Sequence, residues 1–159
     1  YYKAMAEGPQ PSVAVVQDLD YPDCIGAYWG EVNTTIHKGF GMSGALTNGV
    51  MRDLGDLAPD FTVVAGSIGP SHGFVHVRAV NVPVVIQGLA IAPGDLVHAD
   101  RHGAVVIPQA MVEAVTALAV EQERMEAWIM LEVERGVPLP GLYPMNAETK
   151  ARYDASKGE

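Results

Sequence analysis

Arg52 and Asp53 are adjacent residues whose types and position suit them for chemistry. They follow a predicted strand and an Asn48-Gly49 turn, where the backbone can present side chains into a cleft. The planar guanidinium group of arginine suits a substrate carboxylate. Aspartate supplies hard oxygen ligands for Mg²⁺ or Mn²⁺. A cation-and-carboxylate site is therefore one interpretation of this pair, and an ordinary surface ion pair is the other.

Two further carboxylates lie at suggestive spacing from this pair. Asp56 comes three residues after Asp53, so a helical turn would bring the two onto one side. Glu31 lies at the start of a helix predicted over residues 30–38. The first backbone N–H groups of a helix favour an anion, so this helix start is a second candidate for binding a carboxylate substrate.

Other patterns resemble functional motifs by residue type alone. Residues 39–44 match GxGxxG, but a helix precedes them and a strand follows, which is the reverse of the dinucleotide-binding order. They indicate a tight turn from helix to strand. His98, Asp100 and His102 alternate, which suits either a zinc or iron site or a polar strand end.

Ser71, His72 and His76 raise the question of nucleophilic chemistry. Adjacent residues such as Ser71 and His72 rarely form the hydrogen bond that a nucleophile requires. A polar loop near the mouth of a site is the competing interpretation. Cys24, the only cysteine, is expected to be a small packing residue rather than a nucleophile.

The hydrophobic pattern predicts an α/β chain. Helical spacing of apolar residues over 109–135 predicts one long amphipathic helix after Pro108. Short apolar, β-branched runs predict strands over residues 12–17, 45–47, 61–65, 74–80, 82–87, 96–99 and 105–107. Because strands and helices do not alternate regularly, layered strands with helices on one side fit better than a doubly wound nucleotide-binding sheet.

Length and composition narrow the class of protein. The 159 residues indicate one domain, and 48% hydrophobic residues can form a real core. A net charge of −9 argues against nucleic acid and anionic membranes as partners. A single cysteine favours the reducing cytoplasm. Because the chain begins with Tyr1 and no signal peptide follows, we expect a preceding N-terminal segment.

Two separated motifs carry a family resemblance. The first is Gly30-Glu31, followed after twenty residues by Arg52-Asp53 and then by Asp56. The second is the run at 93–108, from Pro93-Gly94-Asp95 to Ile107-Pro108. Together they resemble the RraA-like family, which includes the 4-hydroxy-4-methyl-2-oxoglutarate/4-carboxy-4-hydroxy-2-oxoadipate aldolases. The resemblance runs from about residue 12 to about residue 136.

This resemblance implies a layered β/β/α domain with a long C-terminal helix, and a homotrimer or hexamer with sites between subunits. It implies that Asp53 binds Mg²⁺ or Mn²⁺, and that Arg52 binds the 2-oxo acid and stabilises its enolate. Further implied roles are proton transfer by Glu31, substrate binding by the backbone amides of Val32 and Asn33, and contribution of a last-helix glutamate to a neighbouring site. Counting back from Gly136 gives Glu126 for this last role, with Glu123 as the less favoured position.

The expected activity is therefore a metal-dependent lyase that cleaves or decarboxylates small 2-oxo acids through a pyruvate enolate. Asn48 and the Ser71-His72-Gly73 loop depart from the usual aldolase pattern, which leaves the substrate open. The alternative is a non-catalytic regulator, because relatives in the family inhibit a ribonuclease by binding to it.

Overall fold

Short strands and four helices make up the computed structural model, which describes residues 1–138 and 140–158. The helices are α1 (Tyr2–Glu7), α2 (Glu31–Gly39), α3 (Val112–Glu134) and α4 (Ala147–Ser156), and a 3₁₀ turn (Gln109–Met111) precedes α3. The strands are β1 (Ser12–Val16), β2 (Ala27–Trp29), β3 (Met42–Thr47), β4 (Val50–Met51), β5 (Thr62–Val64), β6 (Ser67–Ile68), β7 (Val84–Ile86), β8 (Leu89–Ile91), β9 (Leu96–Asp100) and β10 (Gly103–Ile107). The predicted α/β class with a long C-terminal helix is confirmed.

Two three-stranded parallel sheets dominate the first of two compact units, Tyr1–Pro108. One sheet has the order β1-β3-β5 and the other the order β2-β4-β6. The hairpins β7-β8 and β9-β10 are antiparallel. Buried side chains form two groups in this unit, one around Trp29 and Phe61 and the other around Leu46, Ile86 and Ile91.

Helix α2 connects the two parallel sheets, since it follows β2 and precedes β3. The Thr34 hydroxyl donates to the carbonyl oxygens of Gly30 and Glu31 and accepts the amide of Ala58, so it is fully bonded in a buried position. After the helix ends at Gly39, Gly41 adopts a φ of +86° and β3 begins at Met42. The glycine-rich run is thus the predicted helix-to-strand turn, with Gly41 in the left-handed conformation.

The strand predicted over residues 74–80 is wrong, because those residues form no regular strand. Their apolar side chains are largely exposed, and Phe74 is fully so. The alternating pattern is present, but no described strand pairs with it. A high β-propensity means that side chains fit a pleated surface. It does not supply a neighbouring strand for residues 74–80, which only the tertiary structure can provide.

The second compact unit, Gln109–Glu159, contains the helices α3 and α4. The Glu132 carboxylate is buried and forms ion pairs with Arg135 at 3.1 Å and with Arg152 of α4. Tyr153 of α4 packs 5.6 Å from Trp128, measured between ring centroids. These contacts fix α4 to one face of α3. No helix in the described residues has the length and apolar character to cross a membrane.

Candidate active site

The candidate site lies where two neighbouring parallel strands end. Strand β2 ends at Trp29 and leads into α2 through Gly30, while β4 ends at Met51 and leads into Arg52-Asp53. Because parallel strands end at the same edge of a sheet, the two segments meet there, which is the usual location of ligand sites in such sheets. The sequence motif is therefore also a spatial cluster.

Arg52 is held against β2 by its backbone and by its side chain. Its amide donates to the carbonyl of Trp29 at 2.8 Å, and its Nη1 donates to the carbonyl of Ala27. Its Nε lies 3.2 Å from Oδ2 of Asp53, and the side chain is only 17% exposed. These bonds use part of the guanidinium group and fix its plane, and its other N–H groups make no hydrogen bond within the described residues.

Asp53 has an unusual backbone for a residue other than glycine, with a φ of +55°. Its Oδ2 accepts the backbone amide of Glu31 at 3.1 Å. A carboxylate at the amino end of a helix is favoured by the exposed N–H groups and by the helix dipole. Within the described residues, Oδ1 of Asp53 takes no hydrogen bond, and the side chain is 37% exposed. That oxygen is free to bind a cation.

Gly30 leaves no space for a side chain between these groups. A Cβ atom at this position would lie 2.5 Å from Oδ2 of Asp53 and 3.0 Å from two carbons of Arg52. The backbone of Gly30 is extended, with a φ of −160°, so a larger residue could adopt its conformation. Glycine is therefore required here for space, which gives a physical reason for Gly30-Glu31 to accompany Arg52-Asp53.

The first turn of α2 presents backbone donors beside this pair. The first N–H groups of a helix have no acceptor within it. The amide of Glu31 is used by Asp53, which leaves those of Val32 and Asn33 for a ligand. The Asn33 side chain is engaged elsewhere, since its Nδ2 donates to the carbonyl of Tyr28. The Glu31 side chain is exposed at the same helix start.

The donor set fits a hydrated Mg²⁺ or Mn²⁺ better than a closed protein cage. In the described residues no group of three or more His, Cys, Asp or Glu side chains converges as metal ligands would. Mg²⁺ commonly keeps several waters and takes only one or two carboxylates. Oδ1 of Asp53 suits that mode of binding. Asp56 follows in a turn, with its amide bonded to the carbonyl of Asp53 at 2.9 Å.

Glu126 lies on α3, in the second compact unit, and its assigned role stays a prediction. Its side chain is exposed and accepts a hydrogen bond from Gln122 at 2.6 Å. It lies roughly 140° around the helix from the face of Glu121, Trp128 and Glu132 that contacts α4, given 3.6 residues per turn. Helix α4 therefore leaves Glu126 uncovered. Glu123 is also exposed on α3.

The alternating histidines form a small surface cluster. The turn after β9 brings Nδ1 of His102 to 3.1 Å from Oδ2 of Asp100, while Nε2 of His98 lies 3.9 Å from the same oxygen. Hydrogen bonds from the backbone and ring of His102 lower the pKa of Asp100. His102 thus folds back onto Asp100. The cluster is a bonded polar turn, consistent with a polar strand end.

Ser71 and His72 do not form a nucleophile pair. The Ser71 hydroxyl donates to the backbone carbonyl of His72 at 3.4 Å and makes no bond to its ring. His76 lies nearby in sequence, with its Nε2 3.3 Å from Nη1 of Arg78. His76 and Arg78 line a cavity of about 760 Å³ whose walls include neither Arg52 nor Asp53.

Helix α2 contains a buried histidine that no sequence motif marks as functional. His37 is fully buried, with its ring 4.6 Å from that of Trp29. Its Nδ1 lies 2.6 Å from the carbonyl of Asn33, which can only accept, so Nδ1 carries the proton. Its Nε2 then accepts the hydroxyl of Tyr1 at 2.6 Å. Burial lowers the pKa of His37 and raises that of Tyr1. The only signal was the spacing of Thr34 and His37 on one helix face.

Relatives of this chain are identical to it at about three in ten of the aligned positions. A Legionella pneumophila protein named DlpA is 29% identical over 76% of this chain, which covers 20% of DlpA. A Halalkalibacterium halodurans protein named "Putative 4-hydroxy-4-methyl-2-oxoglutarate aldolase" is 29% identical over 76% of this chain. The chain spans 58% of that relative, so it matches only part of either protein.

Solved structures share the fold. An uncharacterised protein from Pseudomonas syringae pv. tomato has a TM-score of 0.73 and 28% identity, covering 89% of this chain and 67% of that one. Streptomyces coelicolor RraAS2, described as an unusual member of the RNase ES inhibitor RraA protein family, has a TM-score of 0.65 and 28% identity. That match covers 82% of this chain and 68% of the other.

The model of the RraA-like family, described as Aldolase/RraA, matches residues 1–106. This span includes Glu31, Arg52 and Asp53, whereas Glu126 lies beyond it. The relatives and solved structures above include both an aldolase by name and a member of a ribonuclease-inhibitor family. The fold, the Arg52-Asp53 geometry and the matched span agree, and the chain belongs to the RraA-like family.

Proposed function

We propose that this chain is a class II, metal-dependent lyase that acts on small 2-oxo acids, by retro-aldol cleavage, by oxaloacetate decarboxylation or by both. One observation carries the proposal. The carboxylate of Asp53 is fixed through Oδ2 by Arg52 and by the first amide of α2, while Oδ1 stays free. A surface ion pair would require neither this double anchoring nor the close contact with Gly30.

Substrate binding follows from the donors around Asp53. The carboxylate of a 2-oxo acid would accept hydrogen bonds from the backbone amides of Val32 and Asn33, where the helix dipole favours negative charge. Arg52 would donate from the neighbouring strand end to the carboxylate and the 2-oxo oxygen. Because Arg52 is held by Ala27 and Trp29, its charge is in place before the substrate arrives.

The reaction develops negative charge on the 2-oxo oxygen. In the retro-aldol reaction the C4 hydroxyl loses its proton, the C3–C4 bond breaks, and its electron pair forms the enolate of pyruvate. In decarboxylation the C3–C4 bond of oxaloacetate breaks with loss of CO₂ and gives the same enolate. A bound Mg²⁺ or Mn²⁺ supplies Lewis-acid stabilisation of this charge. Arg52 adds a fixed positive charge, and Glu31 would assist the proton transfers.

A second subunit would complete the site. We propose a homotrimer or hexamer in which Glu126 of α3 reaches the site of a neighbour, since α4 covers a different face of that helix. Mixing an Asp53→Asn variant with a Glu126→Gln variant would then restore activity that each lacks alone. We place the reaction in the cytoplasm, given the single cysteine.

The experiment is a pyruvate-release assay with oxaloacetate and with 4-hydroxy-4-methyl-2-oxoglutarate, in the presence of Mg²⁺ or Mn²⁺. Asp53→Asn should remove most of the activity. Asp60→Asn is the matched control, because Asp60 has the same left-handed backbone, with a φ of +56° against +55°. Both variants keep that conformation, which asparagine tolerates well. Equal activities in the two variants would refute the proposal.

The second candidate is a regulator that binds and inhibits a ribonuclease without catalysis. It is favoured by the similarity to RraAS2, from a family named for ribonuclease inhibition. One fold can host either function. Inhibition of a purified ribonuclease of that type, together with no turnover of either 2-oxo acid, would select the regulator over the lyase.

A further inference from the structure

A third segment ends beside the candidate site. Strand β6 is the third member of the parallel sheet β2-β4-β6, and it leads into residues 69–73, Gly-Pro-Ser-His-Gly, which we name the β6 loop. The amide of Gly69 donates to the carbonyl of Met51 at 3.0 Å, immediately before Arg52. The β6 loop therefore starts at the same sheet edge as the Arg52-Asp53 pair.

The β6 loop and Arg52 meet on one residue of β2. The amide of Ala27 donates to the carbonyl of Ser71 at 3.0 Å, and the carbonyl of Ala27 accepts Nη1 of Arg52. In an extended strand the N–H and C=O groups of one residue point to the same side. The backbone before His72 thus lies on the same side of β2 as the guanidinium group of Arg52. Both are hydrogen-bonded to Ala27.

A close backbone contact fixes the other end of the β6 loop. A Cβ atom on Gly26 would lie 3.2 Å from Cα of Gly73, and one on Gly73 would lie 3.1 Å from Cα of Gly26. Both positions thus favour glycine because the chains touch. His72 is therefore held between Ser71, bonded to Ala27, and Gly73, packed on Gly26.

The ring of His72 has no bonded partner among the described residues, and it is exposed. His76 and His102, by contrast, engage Arg78 and Asp100. A free imidazole on a backbone anchored to Ala27, the residue that also holds Arg52, is suited to contact a ligand rather than to support the fold. An imidazole donates a hydrogen bond to a carboxylate, and more strongly when it is protonated.

We propose that His72 is a specificity-determining residue that binds the second carboxylate of a 2-oxo diacid, at the end remote from the 2-oxo group. This inference rests on the proposed lyase function. The amides of α2 and Arg52 take the carboxylate next to the 2-oxo group, and His72 takes the other. Loss of this contact would remove the preference for a 2-oxo diacid over the corresponding monoacid.

The test measures the cleavage of two aldol substrates by the wild-type chain and by its variants. Cleavage of 4-hydroxy-4-methyl-2-oxoglutarate gives two pyruvates, and cleavage of 4-hydroxy-2-oxopentanoate gives pyruvate and acetaldehyde. Both are followed by pyruvate release, and only the first has a second carboxylate. His72→Ala should lower kcat/KM for the diacid about tenfold to a hundredfold, through KM, the range for one hydrogen bond to a charged group. For the monoacid it should change less than about threefold.

Two further variants separate recognition from structure. His76→Ala removes an exposed histidine from the same stretch of chain and should leave both substrates unaffected. His72→Arg retains a donor for the carboxylate and should recover most of the diacid preference. If His72→Ala lowers kcat/KM equally for both substrates, or for neither, the inference is overturned while the lyase stands. If the wild-type chain cleaves neither substrate and does not decarboxylate oxaloacetate, the lyase itself is refuted.

Discussion

Replacement of Gly30 with alanine would place a methyl group inside the contact between α2 and the Arg52-Asp53 pair. The new Cβ would lie 2.5 Å from Oδ2 of Asp53, whereas ordinary contacts begin at 3.4 Å. The carboxylate must therefore move by about 0.9 Å, and displacement of a catalytic group by about 1 Å can cost a hundredfold in rate. The same movement lengthens the 3.1 Å bond from the amide of Glu31.

We expect the Gly30→Ala variant to lose about thirtyfold to a hundredfold in kcat/KM for 2-oxo acids, which corresponds to about 2–3 kcal/mol. Its free energy of unfolding should fall by only about 1–2 kcal/mol, because one partly exposed hydrogen bond weakens and alanine is a poorer N-cap than glycine. Pyruvate release measures the first quantity and urea denaturation the second. The variant would thus be folded but nearly inactive.

Gly39→Ala is the control, at the other end of the same helix. No atom lies within 4 Å of a Cβ atom built there, and its φ is not positive. This variant should keep wild-type activity and be equally stable or up to about 1 kcal/mol more stable. If Gly30→Ala retains more than half of the wild-type kcat/KM, the close packing of Gly30 against Asp53 does not position a catalytic group.

Three further predictions concern other residues. Arg52→Lys should lower kcat/KM about a hundredfold, as measured by steady-state kinetics, with little loss of stability. An ammonium group cannot replace the planar guanidinium group, which bonds to Ala27 and Asp53 and still has N–H groups for the substrate. Burial lowers the pKa of His37, so its contribution to stability is complete above about pH 6.5, the unfolded value, and is lost as the pH falls through the lower folded value. When the pH falls from 7.5 to 5.5, the free energy of unfolding should therefore fall more in the wild type than in His37→Gln, by up to about 1.4 kcal/mol per pH unit. Urea denaturation at each pH measures this, and an equal fall in both proteins would contradict the prediction. Arg152→Ala should lower the unfolding free energy by about 1–3 kcal/mol, because the buried Glu132 loses a partner, whereas the exposed Arg101→Ala should change it by less than about 0.5 kcal/mol in the same assay.

The sequence predicted the site best where the residue types and the predicted strand ends and turns indicate the same location. A strand, a glycine turn and Arg52-Asp53 place a cation and a carboxylate at a strand end, and the helix start at Glu31 follows from its own pattern. The hairpin β9-β10 was predictable for the same reason, since Pro93-Gly94-Asp95 and the turn at 101–103 bound two apolar strands. In these segments the turn residues and the hydrophobic pattern indicate the same structure.

The sequence did not predict the secondary-structure elements that depend on contacts with residues distant in the chain. Residues 74–80 have the pattern of a strand, but pairing depends on a neighbour that the pattern does not identify. Strand β2 has only three residues, too few to show a period. Helix α4 was not predicted, although the sequence contains an N-cap signal for it. That signal is Asn146, whose side chain accepts the amide of Thr149 at 2.8 Å. A polar segment with a good N-cap can form a helix once another helix offers partners.

The positions of Gly26 and Gly73 show a further limit. Neither glycine has a positive φ, so no turn rule identifies them. Their role is to let two chain segments touch, and only the three-dimensional contact shows it. The same contact fixes the backbone of the loop that carries His72, which residue type and spacing alone could not show.

Metal activation of the purified protein tests the central claim most directly. After removal of divalent cations by chelation, pyruvate release from oxaloacetate is measured during titration with Mn²⁺, in parallel with binding of Mn²⁺ followed by its paramagnetic resonance signal. We predict that activity and binding rise together in the wild type and in Asp60→Asn, and that both are lost in Asp53→Asn. Wild-type turnover that is independent of the cation, or Mn²⁺ binding that survives in Asp53→Asn, would contradict the assignment of Asp53 as the metal ligand of a lyase.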